Sequence, residues 1–428
     1  MFKYYTMMVD YMLSTQKSDL IPEKWYNVVP DLPEQLPPPL DNEKNKSSIE
    51  LLNSILPKEV LKQEFTFQRF LKIPDEVREI YEQTGRPTPL VRARGLEKYL
   101  DYSGKILYKY EGATITGSHK INTAVPQAIY AANEGVEKVV TETGAGQWGT
   151  ATSVAASFAG IKAKVFMVRI SYQQKPLRKK IMQLYGGEVS PSPSDETEFG
   201  RSMLKQNPDH PGSLGIGIGE AVEYALDHNL RYLVGSVFNS VLTHQSIIGL
   251  ETEKQLEIMG TEPDVLIGCV GGGSNFGGFS FPLMKKFKDV EVIASTAAEV
   301  PKFTKGEYKY DYVDTARILP SVKMFSLGAD FMPEKIYAGG LRYHGAAPSL
   351  SMLVNTGRIK TVDESQESVI EALKIFSRTQ GIVAAPESGH AIATAIDYVR
   401  SHKDERKTVV VNVSGHGLLD MSIFRDGQ

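Results

Sequence analysis

The sequence predicts an α/β protein with a mainly parallel sheet, and three observations carry that prediction. Short strand-like runs alternate with helical segments of about 10 to 15 residues, the rhythm of βαβ units. The run 265–270 is apolar throughout, as a strand buried on both faces must be. Two glycine clusters, 144–149 and 271–273, each stand between a strand candidate and a helix candidate, where such folds turn and bind ligands.

Length and composition set the frame. The 428 residues are too many for one small core and correspond to about two domains or one large α/β enzyme fold. Hydrophobic content of 41% and charged content of 23% are ordinary globular usage, which argues against disorder and against a membrane class. The formal net charge of −3 offers no basic surplus for a nucleic-acid backbone. Cys269 is the only cysteine, so an intramolecular disulfide and a cysteine-based zinc site are excluded. It reads as a small buried hydrophobe. Lys3 and Asp10 interrupt the first residues too early for a signal peptide, and no run approaches the roughly 18 apolar residues of a spanning helix. A soluble, cytoplasmic protein is expected, with Met1, Met7, Met8 and Met12 all open as the start.

In chain order, residues 22–45 are proline-rich, with Pro37, Pro38 and Pro39 in succession, and read as an extended arm on the surface or on another subunit. Residues 49–71 have a weak helical pattern. Residues 74–84 have a stronger one, with Asp75 and Glu76 where the helix dipole favours acids, and Gly85 ends it. Pro87 and Pro89 force the next stretch to be extended. The β/α rhythm then begins: strand 105–110, helix 121–133 closed by Gly135, strand 138–141, a helix of small residues at 147–159, and strand 162–169. Helix 176–185 has proline at its start, a strand opens at 188–190, and 191–195 is a turn. Residues 207–219 read as a long glycine- and proline-rich loop, a type that in compact domains is functional or mobile. Helix 241–259, strand 264–270, a helix to Phe287 and strand 290–295 follow. Residues 300–360 read as irregular. Helices 365–379 and 387–401 and strand 408–413 complete the chain.

His119 and Lys120 stand between a polar turn and helix 121–133. Alone, a lysine entering a helix is a solvated charge. The rest of the chain changes that. Residues 144–149 match GxGxxG in the right context, but no acid stands about 20 residues further on, as a dinucleotide site wants. A 2′-phosphate held by arginine leaves an NADP-linked oxidoreductase as an alternative. The milder inference is an anion site made of bare N–H groups at a helix start. Glu142 precedes that loop and fits either a helix-end charge partner or a general acid/base, which needs a raised pKa. Gly271, Gly272, Gly273, Ser274 and Asn275 supply a run of unshielded donors leading into a helix, a cradle for a phosphate monoester. Two anion loops and one lysine suit a phosphorylated aromatic cofactor held against an amine. The histidines, His244, His344 and His416 among them, show no metal-ligand spacing, and no side-chain metal site is expected.

His119-Lys120 with Asn122, ETGAGQ from Glu142 to Gln147, GGGSN at 271–275, Glu387-Ser388 after GIVAAP, and Ser414-Gly415 after the last strand follow one another in an order that resembles the β subunits of tryptophan synthase. Those are pyridoxal-phosphate enzymes of fold type II. The resemblance covers roughly residues 85–425, and the arm and stretch 215–220 look like the second, divergent group of these chains. It implies two three-layer αβα domains with mainly parallel sheets and the active site in the cleft between them. An N-terminal arm and helices would occupy 1–85. Residues 86–118 would belong to the C-domain, 119–237 would form the N-domain with a mobile subdomain at about 136–225, and 238–428 would form the C-domain carrying the phosphate loop.

By the same resemblance, Lys120 would hold pyridoxal 5′-phosphate covalently. His119, Asn122, Gly271 to Asn275 and Glu387 would surround it, and Ser414 would meet its ring nitrogen. A serine there does not force the ring to be protonated, and the weaker electron sink favours β-elimination over transamination. Thr143, Gly144, Ala145, Gly146 and Gln147, with Trp148, would bind the amino-acid carboxylate. Glu142 would assist the leaving group and take the proton of indole. The implied activity is a lyase that joins indole to serine and gives L-tryptophan. An amino-acid dehydratase or another β-replacement enzyme of this fold is the nearest alternative. A non-catalytic pyridoxal-binding regulator is disfavoured by the intact run from Glu142 to Gln147. A homodimer and a monovalent cation, Na⁺ or K⁺, on backbone carbonyls are family features. The divergence of 136–225 predicts weak or absent binding of an α subunit.

Two positions depart from the family pattern. Trp148 replaces a histidine. Arg342, in AGGLRYH, stands where the family has an aspartate that binds the serine hydroxyl, while Asp330 falls in an extra loop. An acid-to-base change at the leaving-group end reverses the preferred substrate charge, and arginine matches phosphate bidentately. O-phospho-L-serine is therefore the expected donor.

Overall fold

The computed structural model describes residues 19–42 and 47–424, so the candidate start methionines lie outside the described residues, as do 43–46 of the proline-rich stretch. Two sheets carry the fold. The larger has six strands in the spatial order Lys360–Glu364, Glu291–Ala297, Val265–Cys269, Thr408–Val413, Lys105–Tyr110 and Leu90–Arg92. Its pairings are parallel except the last, which is antiparallel. The smaller sheet has four parallel strands in the order Gly187–Ser192, Lys162–Val168, Lys138–Thr143 and Arg231–Tyr232. Val265–Cys269 and Thr408–Val413 sit centrally and are buried throughout, which is why the first reads as an unbroken apolar run and the second carries Val409, Val410 and Val411 in succession. Among the described residues no helix is long and apolar enough to cross a membrane.

Helices fill the connections. Ile121–Asn133 and Gln147–Phe158 pack together in one core with Trp25, Phe276 and Phe279. Pro386–Ser401 packs on Gln366–Gln380 and covers the other face of the larger sheet. Local chemistry starts several of them. The side chains of Thr197, Ser213 and Ser365 accept from Gly200 N, Ile216 N and Ser368 N, each satisfying an orphan donor of the first turn.

Several segments differ from the sequence reading, each for a physical reason. The proline-rich arm is anchored in this chain's own core: Trp25 is fully buried, Tyr26 N donates to Ser246 Oγ at 2.8 Å, and Lys24–Tyr26 pairs with Phe70–Lys72. The weak helix at 49–71 is two short helices, Ser48–Ile55 and Lys58–Glu64, divided at Pro57. The helix at 241–259 is broken at Ser246 into Asn239–Gln245 and Ile247–Ile258. The supposed loop 207–219 already contains the start of helix Leu214–Asp227. Its glycines cost helix propensity but admit close neighbours: a Cβ on Gly219 would stand 2.6 Å from Ala316 Cβ. The irregular region 300–360 holds an antiparallel hairpin, Glu307–Tyr312 with Ser321–Ser326, helix Pro348–Asn355 and the edge strand Lys360–Glu364.

Candidate active site

The C-terminal ends of three parallel strands converge on one cavity. Thr143 ends Lys138–Thr143, Cys269 ends Val265–Cys269, and Ser414 follows Thr408–Val413; all three residues line it. Open parallel sheets bind ligands at this edge. The space measures about 1080 Å³ with its mouth included.

Lys120 caps helix Ile121–Asn133 at this wall. The turn before it is pinned to the end of the last strand: His119 N and Nδ1 lie 3.1 and 3.2 Å from Ser414 O, and Ser118 bridges Gly415. Part of the Lys120 surface opens into the cavity, yet burial pushes its ammonium below the ordinary lysine range against the opposing charges of Glu387 and Glu142. A lysine that bonds an aldehyde needs that neutral fraction. Burial and the neighbouring Lys120 charge push His119 down to about 3, so its ring is neutral.

Glu142 is 4% exposed and burial raises it to about 7, with the Tyr232 hydrogen bond and the Lys120 charge opposing. Tyr232 OH donates to Glu142 Oε2 at 2.6 Å. Helix Leu214–Asp227 backs the acid through Gly217, where a Cβ would stand 3.3 Å from Glu142 Cβ. A carboxyl group that titrates near neutrality can both give and take a proton.

Two helix N-termini face this space. Gly146 (φ 102°) and Gly273 (φ 107°) cap Gln147–Phe158 and Ser274–Lys286 in the left-handed conformation that glycine tolerates, and neither has a side-chain cap. Gly149 N donates to Thr143 Oγ1 at 3.0 Å, and the other N–H groups of the two first turns face an anion site. Ser236 Oγ, which a Cβ on Gly272 would strike, and Ser118 Oγ are buried without partners beside these loops. Deeper in, Ser414 Oγ lies 2.9 Å from Ser388 Oγ and 3.6 Å from Cys269 Sγ. Glu387 Oε1 accepts from Gly340 N at 2.8 Å while its Oε2 is buried and unpaired. A glycine cradle, orphaned hydroxyls, an uncharged oxygen at the far end and one lysine fit pyridoxal phosphate.

His119, Lys120, Glu142 to Ala145, Gln147, Trp148, Gly271 to Asn275, Glu387 and Ser414 thus line one cavity. Gly146 shapes the turn from behind. Asn122 is not at the wall: it accepts from Arg86 Nη1 at 2.7 Å and donates to Glu111 and Gln245, so it anchors the lysine's helix from beneath. Arg342 lines a neighbouring cavity that shares Gly144, Leu214 and Gly339 with the first. Its Nη2 donates to Ile336 O, and its Nε is buried without a partner. Asp330 is exposed and pairs with Arg317 at 2.7 Å. Trp148 donates its indole N–H to Thr141 Oγ1 at 2.7 Å and packs on Gly235. Cys269 is more than a core hydrophobe, because it lines the cavity with a thiol that burial pushes up to about 12. Sequence reasoning missed Tyr232, Ser236, Ser388 and Tyr343. Ser388 and Tyr343 stood in the quoted stretches Glu387-Ser388 and AGGLRYH without being given a role; Tyr232 and Ser236 sit in a segment without a motif.

The comparisons with known proteins agree with this geometry. The family model described as pyridoxal-phosphate dependent enzyme matches residues 81–415. Maize serine racemase superposes with a TM-score of 0.58 at 17% identity over 80% of this chain and 93% of that one. Threonine deaminase isoform 2 from Solanum lycopersicum gives 0.61 at 18% over 92% and 97%. Such likenesses show the fold, which is fold type II. The GxGxxG at 144–149 is therefore not a dinucleotide fingerprint, and Arg169, the arginine nearest the expected place, spends its guanidinium on Pro193 O. In sequence, the tryptophan synthase beta chain of Picrophilus torridus is 67% identical over 96% of this chain and 99% of its own length. Tryptophan synthase beta chain 1 of Sulfurisphaera tokodaii is 61% identical over 95% and 97%. With a glycine cradle, a buried lysine and end-to-end relatives in agreement, the chain belongs to the tryptophan synthase β-chain family of pyridoxal-phosphate-dependent enzymes.

Proposed function

We propose that this lyase joins indole to the Cβ of a serine donor and releases L-tryptophan. One observation carries the reading: a single cavity holds both Lys120, whose ammonium burial weakens, and Glu142, whose carboxyl group burial raises to about 7. Bound pyridoxal phosphate withdraws electrons from the donor's Cα, so that the Cβ substituent can leave and a nucleophile can add there. Lys120 would hold the cofactor and, once its amine is free, would move the Cα proton. The N–H groups of Gly271 to Asn275 and the neutral His119 ring would hold the cofactor phosphate, and Ser414 Oγ would offer the ring nitrogen an uncharged partner. Backbone donors from Thr143 to Gln147 bind the donor carboxylate at a helix start. Leu214, Ile218, Val313 and Leu319 give the cavity an apolar side suited to indole. Glu142, steadied by Tyr232, takes the proton that indole loses.

We infer further that the preferred donor is O-phospho-L-serine. Arg342 replaces an acid of the family pattern, its Nε is buried and unpaired, and its cavity adjoins the active site at Gly144, Leu214 and Gly339. Phosphate also leaves without needing a proton. The chain acts as a homodimer that binds an α subunit weakly or not at all, which a light-scattering titration tests.

The deciding assay supplies holoenzyme, indole and each donor. Tryptophan forms with both, and kcat/KM is higher for phosphoserine. In Arg342→Ala that advantage disappears while the serine reaction persists. Formation of oxo acid without tryptophan would assign a dehydratase instead. Equal donors, unchanged by Arg342→Ala, would overturn the phosphoserine preference alone.

A further inference from the structure

Lys302 is 0% exposed and lies outside the active-site wall. Its Nζ donates to the carbonyl oxygen of Gly271 at 2.8 Å. Gly271 opens the cradle at 271–275, so a buried amine grips the backbone that faces the cofactor phosphate.

The geometry of a peptide makes this grip consequential. In a planar trans unit the C=O and the following N–H point in opposite directions. Fixing Gly271 O on Lys302 therefore fixes the Gly272 N–H toward the other side, and Gly272 lines the cavity. A positive charge on the carbonyl also polarises the peptide and strengthens that N–H as a donor. Asp363 contributes charge at a distance, but its two carboxylate oxygens already accept from Thr296 and Thr304. The hydrogen bond of Lys302 thus goes to a backbone carbonyl and not to a carboxylate. Burial draws the amine down to about 7 while Asp363 pulls it up. His344 is the other ionisable group that senses it. Below about pH 7 the amine is charged, and a desolvated cation on a backbone carbonyl does the work of a bound monovalent ion.

We propose that Lys302 is a built-in cation: its ammonium takes the place of Na⁺ or K⁺ behind the phosphate cradle and aims the Gly272 N–H, so that cofactor binding needs no monovalent ion. The proposal rests on phosphate binding at 271–275. It makes Lys302 a positioning residue, since it touches neither substrate nor cofactor.

The test measures the dissociation constant of pyridoxal phosphate by fluorescence, in tetramethylammonium chloride and in KCl or NaCl at equal ionic strength. The wild-type constant changes by less than about twofold between the salts. Lys302→Ala vacates space for an ion. It weakens binding about tenfold or more in tetramethylammonium and recovers most of that in K⁺ or Na⁺. Lys302→Met, which fills the space, weakens binding without recovery. A wild-type enzyme that K⁺ or Na⁺ tightens more than about fivefold would overturn the proposal, even where the variants fail to fold. So would Lys302→Ala with wild-type affinity in tetramethylammonium, or with a loss that no ion repairs, because a merely structural lysine gives no ionic rescue.

Discussion

Tyr232 donates its phenolic hydrogen to Glu142 Oε2 across 2.6 Å, and both side chains are buried at the end of the smaller sheet. Burial raises Glu142 to about 7, and the Tyr232 bond is the first influence holding it from going higher. The tyrosine therefore sets the pH at which the acid can accept a proton, which in the proposed reaction is that of indole. A hydrogen bond to a charged group is worth about 1.5–3 kcal/mol, or roughly one to two pH units. In Tyr232→Phe the carboxylate loses that support and its pKa rises. The acid limb of the kcat/KM profile for indole should move to higher pH by about one to two units. A limb that stays in place would mean that Glu142 does not titrate in that profile. Glu142→Gln should lower the rate by about 10²–10⁴-fold at every pH.

Gly217 offers a second handle on the same acid. A methyl group there would stand 3.3 Å from Glu142 Cβ, tighter than an ordinary contact, while removing a glycine from a helix interior gains about 1 kcal/mol. Gly217→Ala should thus leave the melting temperature nearly unchanged and lower kcat by about tenfold, because small displacements of a catalytic group are costly. Loss of stability without loss of kcat in the folded fraction would show that the helix, and not the acid, absorbs the strain.

Much of this was legible in the sequence. Strands 105–110 and 408–413 and helix 121–133 were readable to the residue, because Ile106 to Tyr108 and Val409 to Val411 give each strand an apolar centre and a glycine just past a helix end is an unambiguous stop. The cavity wall was readable too, since glycine loops and a helix-entering lysine are local features. What failed was non-local. Helix Leu214–Asp227 hid behind Gly215, Gly217 and Gly219, whose value lies only in what packs against them. The strand Glu307–Tyr312 alternates aromatic and polar residues, EYKYDY, but lies half-exposed in a separate two-stranded hairpin, without the apolar run of a buried strand. Asn122 was assigned to the cofactor through the family resemblance, whereas the helical turn carries its side chain to Arg86 and Glu111. Tyr232 reaches Glu142 from 90 positions away, and no pattern in sequence encodes such a meeting.

Beneath Lys120, Arg86 bonds Glu111 at 2.9 Å and Glu251 at 2.8 Å, and Lys109 also bonds Glu251 at 2.8 Å; all four side chains are 0% exposed. Burial alone would raise Glu111, but Arg86 and Lys109 outweigh it and pull its carboxyl group to about 2. A folded-state pKa below the ordinary 4.5 adds stability above that value, and this is lost as pH falls from 4.5 toward 2. Arg86→Met strands two buried carboxylates on one lysine and should cost about 3–5 kcal/mol in denaturation of the holoenzyme. The same variant should lose the acid-side slope due to Glu111. A cost below about 1 kcal/mol would assign the cluster no structural role.

Asp420 ties the segment after Ser414 to the loop at Gly146, the one proposed to bind the donor carboxylate. Its Oδ2 accepts from Arg178 Nη2 at 2.9 Å and its Oδ1 from Lys175 Nζ at 2.5 Å, with the carboxylate 1% exposed. Burial would raise this acid, but Arg178 and Lys175 hold it below the usual carboxylate range, so it is charged at neutral pH. Arg178 packs against the turn at Gly146, where a Cβ would stand 2.7 Å from its Cδ. The carboxylate thus fixes an arginine that backs the N–H groups of Gly146 and Gln147. Asp420→Asn keeps the shape and removes the charge, and Arg178 loses the partner that sets its position. Lys120 and Glu142 are not in contact with this latch. The donor's KM should therefore rise by about tenfold while kcat changes little, the pattern of lost ground-state binding. A fall in kcat at constant KM would place the latch in the chemical step instead. Asp420→Glu, which restores the charge on a longer arm, should recover part of the donor affinity, and failure to do so would show that the shape of the turn matters more than its charge.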